Sequence, residues 1–501
     1  MARFFKNIVY VILIVICTLI FLELASKALV KFVLKDKITA QSFQTEFEEI
    51  YIPPFEEKKP DEFRIFVYGG STVQGIPIPK IGFVNQLQYQ LNHVFEGKSV
   101  KVYNFGWAGF NSTRIRYWLS RTIHGNPDLI IVYTGENEFI YPQLDSYFLV
   151  RTATFVKNHS DLGKIILHAT KSGQGENKVK SSDDKFPAYA ANKFYVHLKQ
   201  QIFQNNLRAI VFEAKKSQIP LVLGIPAHNL ADWPPVRREV TTLKTPPEYK
   251  SGFELVKQFI DQNNLDEAES NVDNLLSKYP DDASLIFQKA TILRKRGEPS
   301  LAYFQKAKDN DLVPWRTTTS YADFLKSLED RKNVWVINFA RIFQDNSKEG
   351  LPGFDLFVDG THPSKEGAYL VANAIVDFVI SEKLVDGQWL ESNNSVYPQE
   401  ELFEAMKIDD ADDFSAFLDS AMLALKIPLL NLEAARYFAA KAENIDTKNW
   451  RTKAVLASAA HLEGNDKQAE TFLSEAEALK GSAITEEDAR PIPYLSEILM
   501  K

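Results

Sequence analysis

The chain has 501 residues, enough for about three domains at roughly 150 residues each. With 45% hydrophobic and 25% charged residues, and only Gly 22 and Pro 23, its composition is globular and not low-complexity. Lys+Arg 58 against Asp+Glu 65 leaves a formal charge of −7, which argues against a nucleic-acid partner, and the single cysteine, Cys17, excludes an intramolecular disulfide and a cysteine-based zinc site.

The amino terminus departs from this balance. Ile8–Leu24 (IVYVILIVICTLIFLEL) is almost wholly apolar, with Glu23 near its end. At about 1.5 Å per residue it is just long enough for a hydrocarbon core of about 30 Å. Arg3 and Lys6 precede it, as in a signal anchor, and Cys17 sits mid-span without a lipobox. A cleavable signal peptide is the weaker reading, because the nearest small-x-small site, Ser26-Lys27-Ala28, matches the cleavage pattern poorly. Lys27, Lys31, Lys35 and Lys37 oppose a simple positive-inside count; with Leu29, Val30 and Val33 they fit an amphipathic extension along the lipid surface. The expectation is one span, N-terminus inside and the bulk of the chain outside.

After a polar segment with Pro53, Pro54 and Pro60, strand-like and helix-like patterns alternate. Phe63–Gly69 (FRIFVYG) is a short apolar run ending in glycine, as expected of a buried parallel strand. A helix follows over Phe83–Phe95, a strand over Lys101–Gly106, a helix around Thr113–Thr122 and a strand over Asp128–Gly135. A long helix near Lys193–Ser217 leads to a strand at Pro220–Pro226; Asn333–Phe339 reads as the fifth strand and Lys365–Ile380 as the closing helix. Strands separated by helices imply an open parallel sheet covered on both faces, with ligands at the carboxyl ends of the strands.

Two stretches are helical throughout. In Ser251–Asp311, Ala268, Val272, Leu275 and Pro280 have tetratricopeptide spacing; a period of about 34 carries Ala268 to Ala302 and Val256 to Ala290. Near the carboxyl end Ala435, Ala439 and Ala442 recur as Ala469, Leu473 and Ala476, with Trp450, Ala457 and Gly464 between them. An ordinary antiparallel bundle is the alternative. The first stretch leaves the core at the carboxyl edge of the fourth strand and is expected to roof that edge. Nothing ties Asp410–Lys480 to it, so the second stretch is expected to be dispensable for a small substrate, docking on the insert or on another protein.

Chemistry concentrates at the strand ends. In Tyr68-Gly69-Gly70-Ser71-Thr72 the glycines permit a tight turn that presents a serine hydroxyl at the start of a helix, although a plain N-cap serine would look the same. Val73 excludes the G-x-S-x-G elbow, and Ile76 after Gly75 excludes a P-loop. In Asp359-Gly360-Thr361-His362-Pro363 the aspartate can reach an imidazole three residues on and fix its tautomer, while a solvated turn is the plainer reading.

As a set, these segments resemble the SGNH branch of the GDSL hydrolases. Ser71 in GGST matches the nucleophile block, with Gly70 where the family usually has aspartate. Gly109 in NFGWAGFNS matches the oxyanion glycine, Asn137 in GENE the block usually written GxND with Glu138 replacing aspartate, and Asp359 and His362 the D-x-x-H block. The resemblance implies a flavodoxin-like, three-layer α/β/α parallel sheet over roughly 61–245 and 320–385. It also implies a Ser71–His362–Asp359 triad, and an oxyanion hole from the N–H groups of Ser71 and Gly109 and the Asn137 amide, with no metal or organic cofactor. His228, Trp233 and Arg316 are candidates to touch substrate, and Glu136 and Glu138 are expected to make the mouth acidic.

The expected organisation is an anchor with its amphipathic extension (1–37), a linker (38–60), the hydrolase domain (61–250), a tetratricopeptide-like insertion (251–311), the rest of the hydrolase domain (312–385), a second linker (386–409) and carboxyl-terminal helical repeats (410–501). Such a chain resembles a single-pass protein of a bacterial inner membrane with a periplasmic esterase or deacetylase acting on an acylated envelope glycan or lipid. An O-acyltransferase of the same fold, or a scaffold with a vestigial hydrolase domain and a protein partner on its helices, are the alternatives.

Overall fold

The computed structural model describes residues 2–32, 55–95, 99–139, 147–148, 152, 160–163, 165, 192–236, 246–384, 396–426 and 430–499. The chain divides into two units, Met1–Glu56 with Asp145–Asp184, and Glu57–Leu144 with Lys185–Lys501. Residues 145–184, expected within the α/β domain, group with the amino-terminal segment.

In the first unit, α1 (Ala2–Phe32) is continuous, and Leu13, Ile14, Leu19, Ile20, Phe21 and Leu24 are at least half exposed. The Glu23 carboxylate accepts hydrogen bonds from Ser160 Oγ (2.6 Å) and the N–H of Asp161 (2.7 Å), so this acidic residue is not bare among apolar ones. Among the described residues, no helix is long and apolar enough to cross a membrane. The side chains of residues 8, 9, 11 and 12 of the expected span, and Val33, Lys35 and Lys37 of its extension, lie outside the described residues.

The second unit is built on five parallel strands, β1 (Glu62–Gly69), β2 (Ser99–Gly106), β3 (Leu129–Tyr133), β4 (Leu221–Ile225) and β5 (Val334–Asn338), in the order β2-β1-β3-β4-β5. Register aligns the strand ends: Gly69 lies beside Gly106 and Tyr133, Tyr133 beside Gly224, and Ile225 beside Asn338. Every residue of β1, β3 and β4 is buried, as continuous apolar runs require when both sheet faces are covered. Ile65, Val67, Ile131, Tyr133 and Val222 share one core with α3 (Phe83–Val94), α11 (Phe339–Asn346) and α12 (Lys365–Ser381). Behind the opposite face lie α4 (Ser112–Thr122), α5 (Lys193–Lys216) and α10 (Thr319–Ser327). There Tyr68 Oη meets Thr122 Oγ1 at 2.6 Å, and the Phe203 and Tyr321 rings meet edge-on at 4.4 Å. This is the three-layer α/β/α sheet expected from the sequence, with α2 (Ser71–Gln74) a single turn at the end of β1.

The insertion forms two helical hairpins, α6 (Pro247–Asp261) with α7 (Leu265–Lys278), and α8 (Ala283–Lys295) with α9 (Leu301–Asp309). Helix starts recur after 283 − 247 = 36 and 301 − 265 = 36 residues, not 34. Ala268 therefore corresponds to buried Phe304 and Val256 to buried Ile292, whereas Ala302 is exposed. Ile286, Phe287 and Ala290 pack on Leu230, Ala231 and Leu351, which roots the insertion beside the end of β4.

Residues 396–409, expected within a linker, are docked instead. Tyr397 exchanges hydrogen bonds with Gln90 (2.8 and 3.0 Å) and stacks on His93, and α13 (Gln399–Ala405) buries Leu402 and Phe403. The carboxyl-terminal helices α14 (Asp410–Ala424), α15 (Leu432–Ile445), α16 (Trp450–Leu462), α17 (Asp466–Lys480), α18 (Glu486–Ala489) and α19 (Leu495–Leu499) follow. Here the period of 34 holds between α15 and α17: Ala435, Ala442, Ala469 and Ala476 are all buried.

These helices pack on the α/β layer, a surface other than the insertion or the partner protein expected for them. Ala421, Ala435 and Phe438 share a hydrophobic core with Trp233, Trp315 and Val358, the last immediately before Asp359. Phe354 stacks on Tyr437 at 4.9 Å and meets Phe438 at 5.0 Å, while Lys80 pairs with Asp412 (2.5 Å) and Lys365 with Asp413 (2.6 Å). Burial of the large aromatic faces dominates, since exposed ion pairs contribute about 0–1 kcal/mol each. Phe438→Ala is expected to destabilise the α/β layer together with the carboxyl-terminal helices by about 3–5 kcal/mol. Urea unfolding followed by tryptophan fluorescence checks this, and an unchanged midpoint would contradict the shared core.

Candidate active site

Ser71 is the first residue of α2, and its Oγ lies 2.6 Å from His362 Nε2. His362 Nδ1 lies 2.5 Å from Asp359 Oδ2, while Asp359 Oδ1 accepts the backbone N–H groups of Thr361 and His362, both at 2.7 Å. One carboxylate thus closes the turn and orients the ring, leaving Nε2 toward the serine. Burial acts to raise the Asp359 pKa, but the charge and ring N–H of His362, with the two backbone N–H groups, outweigh it and hold Asp359 below the usual carboxylate range. Burial acts to lower the His362 pKa; the charge and hydrogen bond of Asp359, then the charge of Glu136, outweigh it and raise it.

The second and third segments meet beside Ser71. Trp107–Phe110 is a turn closed by the Phe110 N–H on the Trp107 carbonyl (3.0 Å), with Gly109 at φ 77°, a conformation that favours glycine. Trp107 N–H donates to the Gly69 carbonyl and Ala108 N–H to Gln74 Oε1, which ties this turn to both sides of Ser71. Asn137 Nδ2 donates to the Phe110 carbonyl at 3.0 Å. A Cβ on Gly70 would lie 2.4 Å from Asn137 Nδ2, so glycine before the serine is what admits Asn137 here.

The two glutamates of GENE do not make an acidic mouth, because both are buried. Glu138 accepts the N–H (2.7 Å) and Oγ (3.0 Å) of Ser112, the first residue of α4, and so secures a helix start. Among the described residues, Glu136 receives only the Thr72 hydroxyl, at 3.1 and 3.3 Å from its two oxygens. Burial pushes its pKa up to about 8, against the lowering effects of His362 and Thr72 and with a further rise from Asp359.

Of the three further candidates, Trp233 and Arg316 are placed in the core and not at a mouth, each at most 3% exposed. Trp233 packs edge-on to Trp315 at 5.9 Å; Arg316 donates to the carbonyls of Asn229 (3.0 Å) and Trp233 (2.9 Å). His228 is also buried, and its Nε2 accepts the Thr317 N–H at 2.9 Å. Burial, then the charges of Lys308 and Arg316, hold its pKa well below the ordinary value, so the ring is neutral. Sequence reasoning passed over Asn229, whose Nδ2 donates to the Asp359 carbonyl (3.1 Å) and whose N–H donates to the Gly360 carbonyl (3.1 Å). Its position directly after His228, beyond a strand end, was the available signal. Among the described residues, no group of three or more His, Cys, Asp or Glu side chains could hold a metal ion.

No protein-family model matches the chain, and no curated protein matches it. Among solved structures it is similar to a member of the lipolytic protein G-D-S-L family from Veillonella parvula, at 12% identity over 63% of this chain and 97% of that one, with a TM-score of 0.30. It is similar to the acetyl xylan esterase AlAXEase at 12% identity over 64% of this chain and 100% of that one, TM-score 0.30. It is likewise similar to Axe2, an acetylxylan esterase from Geobacillus stearothermophilus, at 12% identity over 66% of this chain and 97% of that one, TM-score 0.30.

Proposed function

We propose that the chain is a serine esterase of the SGNH type that hydrolyses an acyl ester on a glycan or lipid of the cell envelope. The observation that carries this reading is the continuous line from Ser71 Oγ through the His362 ring to Asp359, with contacts of 2.6 and 2.5 Å. Ser71 Oγ attacks the ester carbonyl carbon while its proton passes to His362 Nε2. Asp359 keeps Nδ1 protonated and stabilises the imidazolium. The oxyanion is held by the N–H groups of Ser71 and Gly109 and by the Asn137 amide, each such donor supporting the transition state by about 3 kcal/mol. His362 returns the proton to the departing alkoxide, then takes one from the water that attacks the acyl-serine, and gives it to Ser71 Oγ as the Oγ–acyl bond breaks and the acid leaves.

Ser71→Ala is expected to lower hydrolysis of p-nitrophenyl acetate by about four powers of ten or more with an unchanged melting temperature. Turnover at the wild-type rate in the purified variant would remove Ser71 from the mechanism. Because His362 must be neutral to accept the proton, kcat/KM is expected to rise with pH. Since Asp359 and Glu136 raise the His362 pKa, that limb lies above the ordinary histidine value of about 6.5. A limb below that value, measured from pH 5 to 10, would contradict the assigned base.

We propose further that residues 8–24 hold the chain in a bacterial inner membrane with the catalytic unit in the periplasm. The apolar run Ile8–Leu24, four of whose side chains lie outside the described residues, and the exposure of the large side chains along α1 support this, although no helix among the described residues is by itself long and apolar enough to cross. Alkaline phosphatase fused after Lys501 is expected to be active, whereas activity confined to a cytoplasmic reporter would reverse the orientation and exclude envelope substrates.

A further inference from the structure

Glu136 is the ionisable group near the Ser71–His362 pair that the mechanism leaves unused. It follows Gly135, whose φ of 126° turns the chain at the end of β3, and it precedes Asn137. Its side chain is 4% exposed, and among the described residues its one hydrogen-bond partner is the Thr72 hydroxyl. A hydroxyl has one proton, so the two carboxyl oxygens share a single donor, where an ionised carboxylate could accept about four. No lysine or arginine forms an ion pair with it among the described residues. A buried carboxylate that poorly compensated is costly, so the neutral acid prevails until a positive charge appears nearby or the pH rises. The groups in electrostatic reach are Tyr133 on β3, which is also buried, and His362 and Asp359 on the loop before α12; Thr72 faces it from α2.

On the reading of Ser71 as nucleophile and His362 as base, we propose that Glu136 is a positioning residue for that pair, a second buried carboxyl held by the residue next to Ser71, whose ionisation makes the imidazole a stronger base. Asp359 is ionised throughout and sets the ring's tautomer and direction. With its pKa pushed up by burial to about 8, Glu136 changes charge between pH 5 and 10, so the same histidine has two basicities: a lower one beside the neutral acid and a higher one beside the carboxylate. The two groups titrate as a pair, in two macroscopic steps. The direction of the burial effect agrees, since it places the Glu136 pKa at about 8, and Glu136 in turn raises that of His362.

The test is a direct titration of the ring. The full chain, labelled with carbon-13 at histidine Cε1 and held in detergent micelles, is followed by NMR from pH 5 to 10, with His362→Gln assigning the resonance among the 8 histidines. In wild type the His362 signal is expected to titrate in two steps. In Glu136→Gln a single step at lower pH is expected, because the negative charge that raised the ring's basicity is gone. Thr72→Val removes the hydroxyl that favours the carboxylate, so the upper step is expected to move to higher pH; it serves if Glu136→Gln does not fold. A His362 titration identical in wild type and in whichever variants fold overturns the proposal. The readout does not pass through turnover. An inactive wild type with a two-step ring refutes the esterase reading alone, and an active one with an unaltered single step refutes the role of Glu136 alone.

Discussion

Ser71 and His362 stand 291 residues apart in the chain and 2.6 Å apart in space, and the rest of the α/β layer is arranged so that this one hydrogen bond can form. On the serine side the requirement is met by parallel strand ends in register, with β1 delivering Ser71 where Gly106 and Tyr133 also end. On the histidine side it is met by a carboxylate with two oxygens and two tasks. Asp359 Oδ1 fixes the turn through two backbone N–H groups, and Oδ2 fixes the ring. Hydrogen bonds to a charged group contribute about 1.5–3 kcal/mol each, so ring and turn move together or not at all.

Three buried carboxyl groups within this small volume behave differently because they are solvated differently. Asp359 has two N–H donors and an imidazole, enough to stay ionised despite burial. Glu138 has an N–H and a hydroxyl at a helix start, where negative charge is favourable. Glu136 has, among the described residues, one hydroxyl, and burial pushes it toward the neutral form. Residue type alone would make all three equivalent anions. The donors met by Asp359 and by Glu136 separate those two: burial pushes Glu136 up to about 8, while the imidazole and two N–H groups hold Asp359 below the usual carboxylate range.

The sheet was legible in the sequence because strands buried on both faces are largely apolar, and short runs such as Phe63–Gly69 and Pro220–Pro226 end at glycine or proline; the exception, Arg64, is buried in a pair with Glu62 of the same strand. The expected strand limits differ from the observed ones by one or two residues at most ends. Ser71, Asp359 and His362 were legible only as a set, through the resemblance of the four segments to the SGNH hydrolases; singly, the glycine-preceded serine reads as an N-cap and the D-x-x-H segment as a solvated turn. What was not legible depends on tertiary contact. The period of Ser251–Asp311 was read as 34 instead of 36, since alanines at 268 and 302 fit by size although Ala302 points to solvent. Trp233 and Arg316 looked like binding residues because large polar-tipped side chains near a strand end suggest a mouth, but their partners, Trp315 and two backbone carbonyls, come from distant segments. The docking of 410–499 was invisible for the same reason: an amphipathic helix shows that it has an apolar face, not what that face meets.

That docking bears on the site through the irregular segment 228–236, which carries no helix or strand of its own and must satisfy its backbone elsewhere. Asn229 binds the loop of Asp359 on one side and receives Arg316 on the other. Leu230 and Ala231 donate to the Pro352 carbonyl and pack against the insertion. Asp232 accepts the Phe354 N–H at 2.9 Å and meets Arg294 of α8 at 2.9 Å, and Trp233 enters the core shared with α14 and α15. The Arg294–Asp232 pair is about a third exposed at both ends and adds little on its own. The backbone hydrogen bonds and the buried aromatic contacts carry the connection. The aspartate that orients His362 therefore takes its footing from both helical additions, and loosening either one weakens the turn that holds the ring against Ser71.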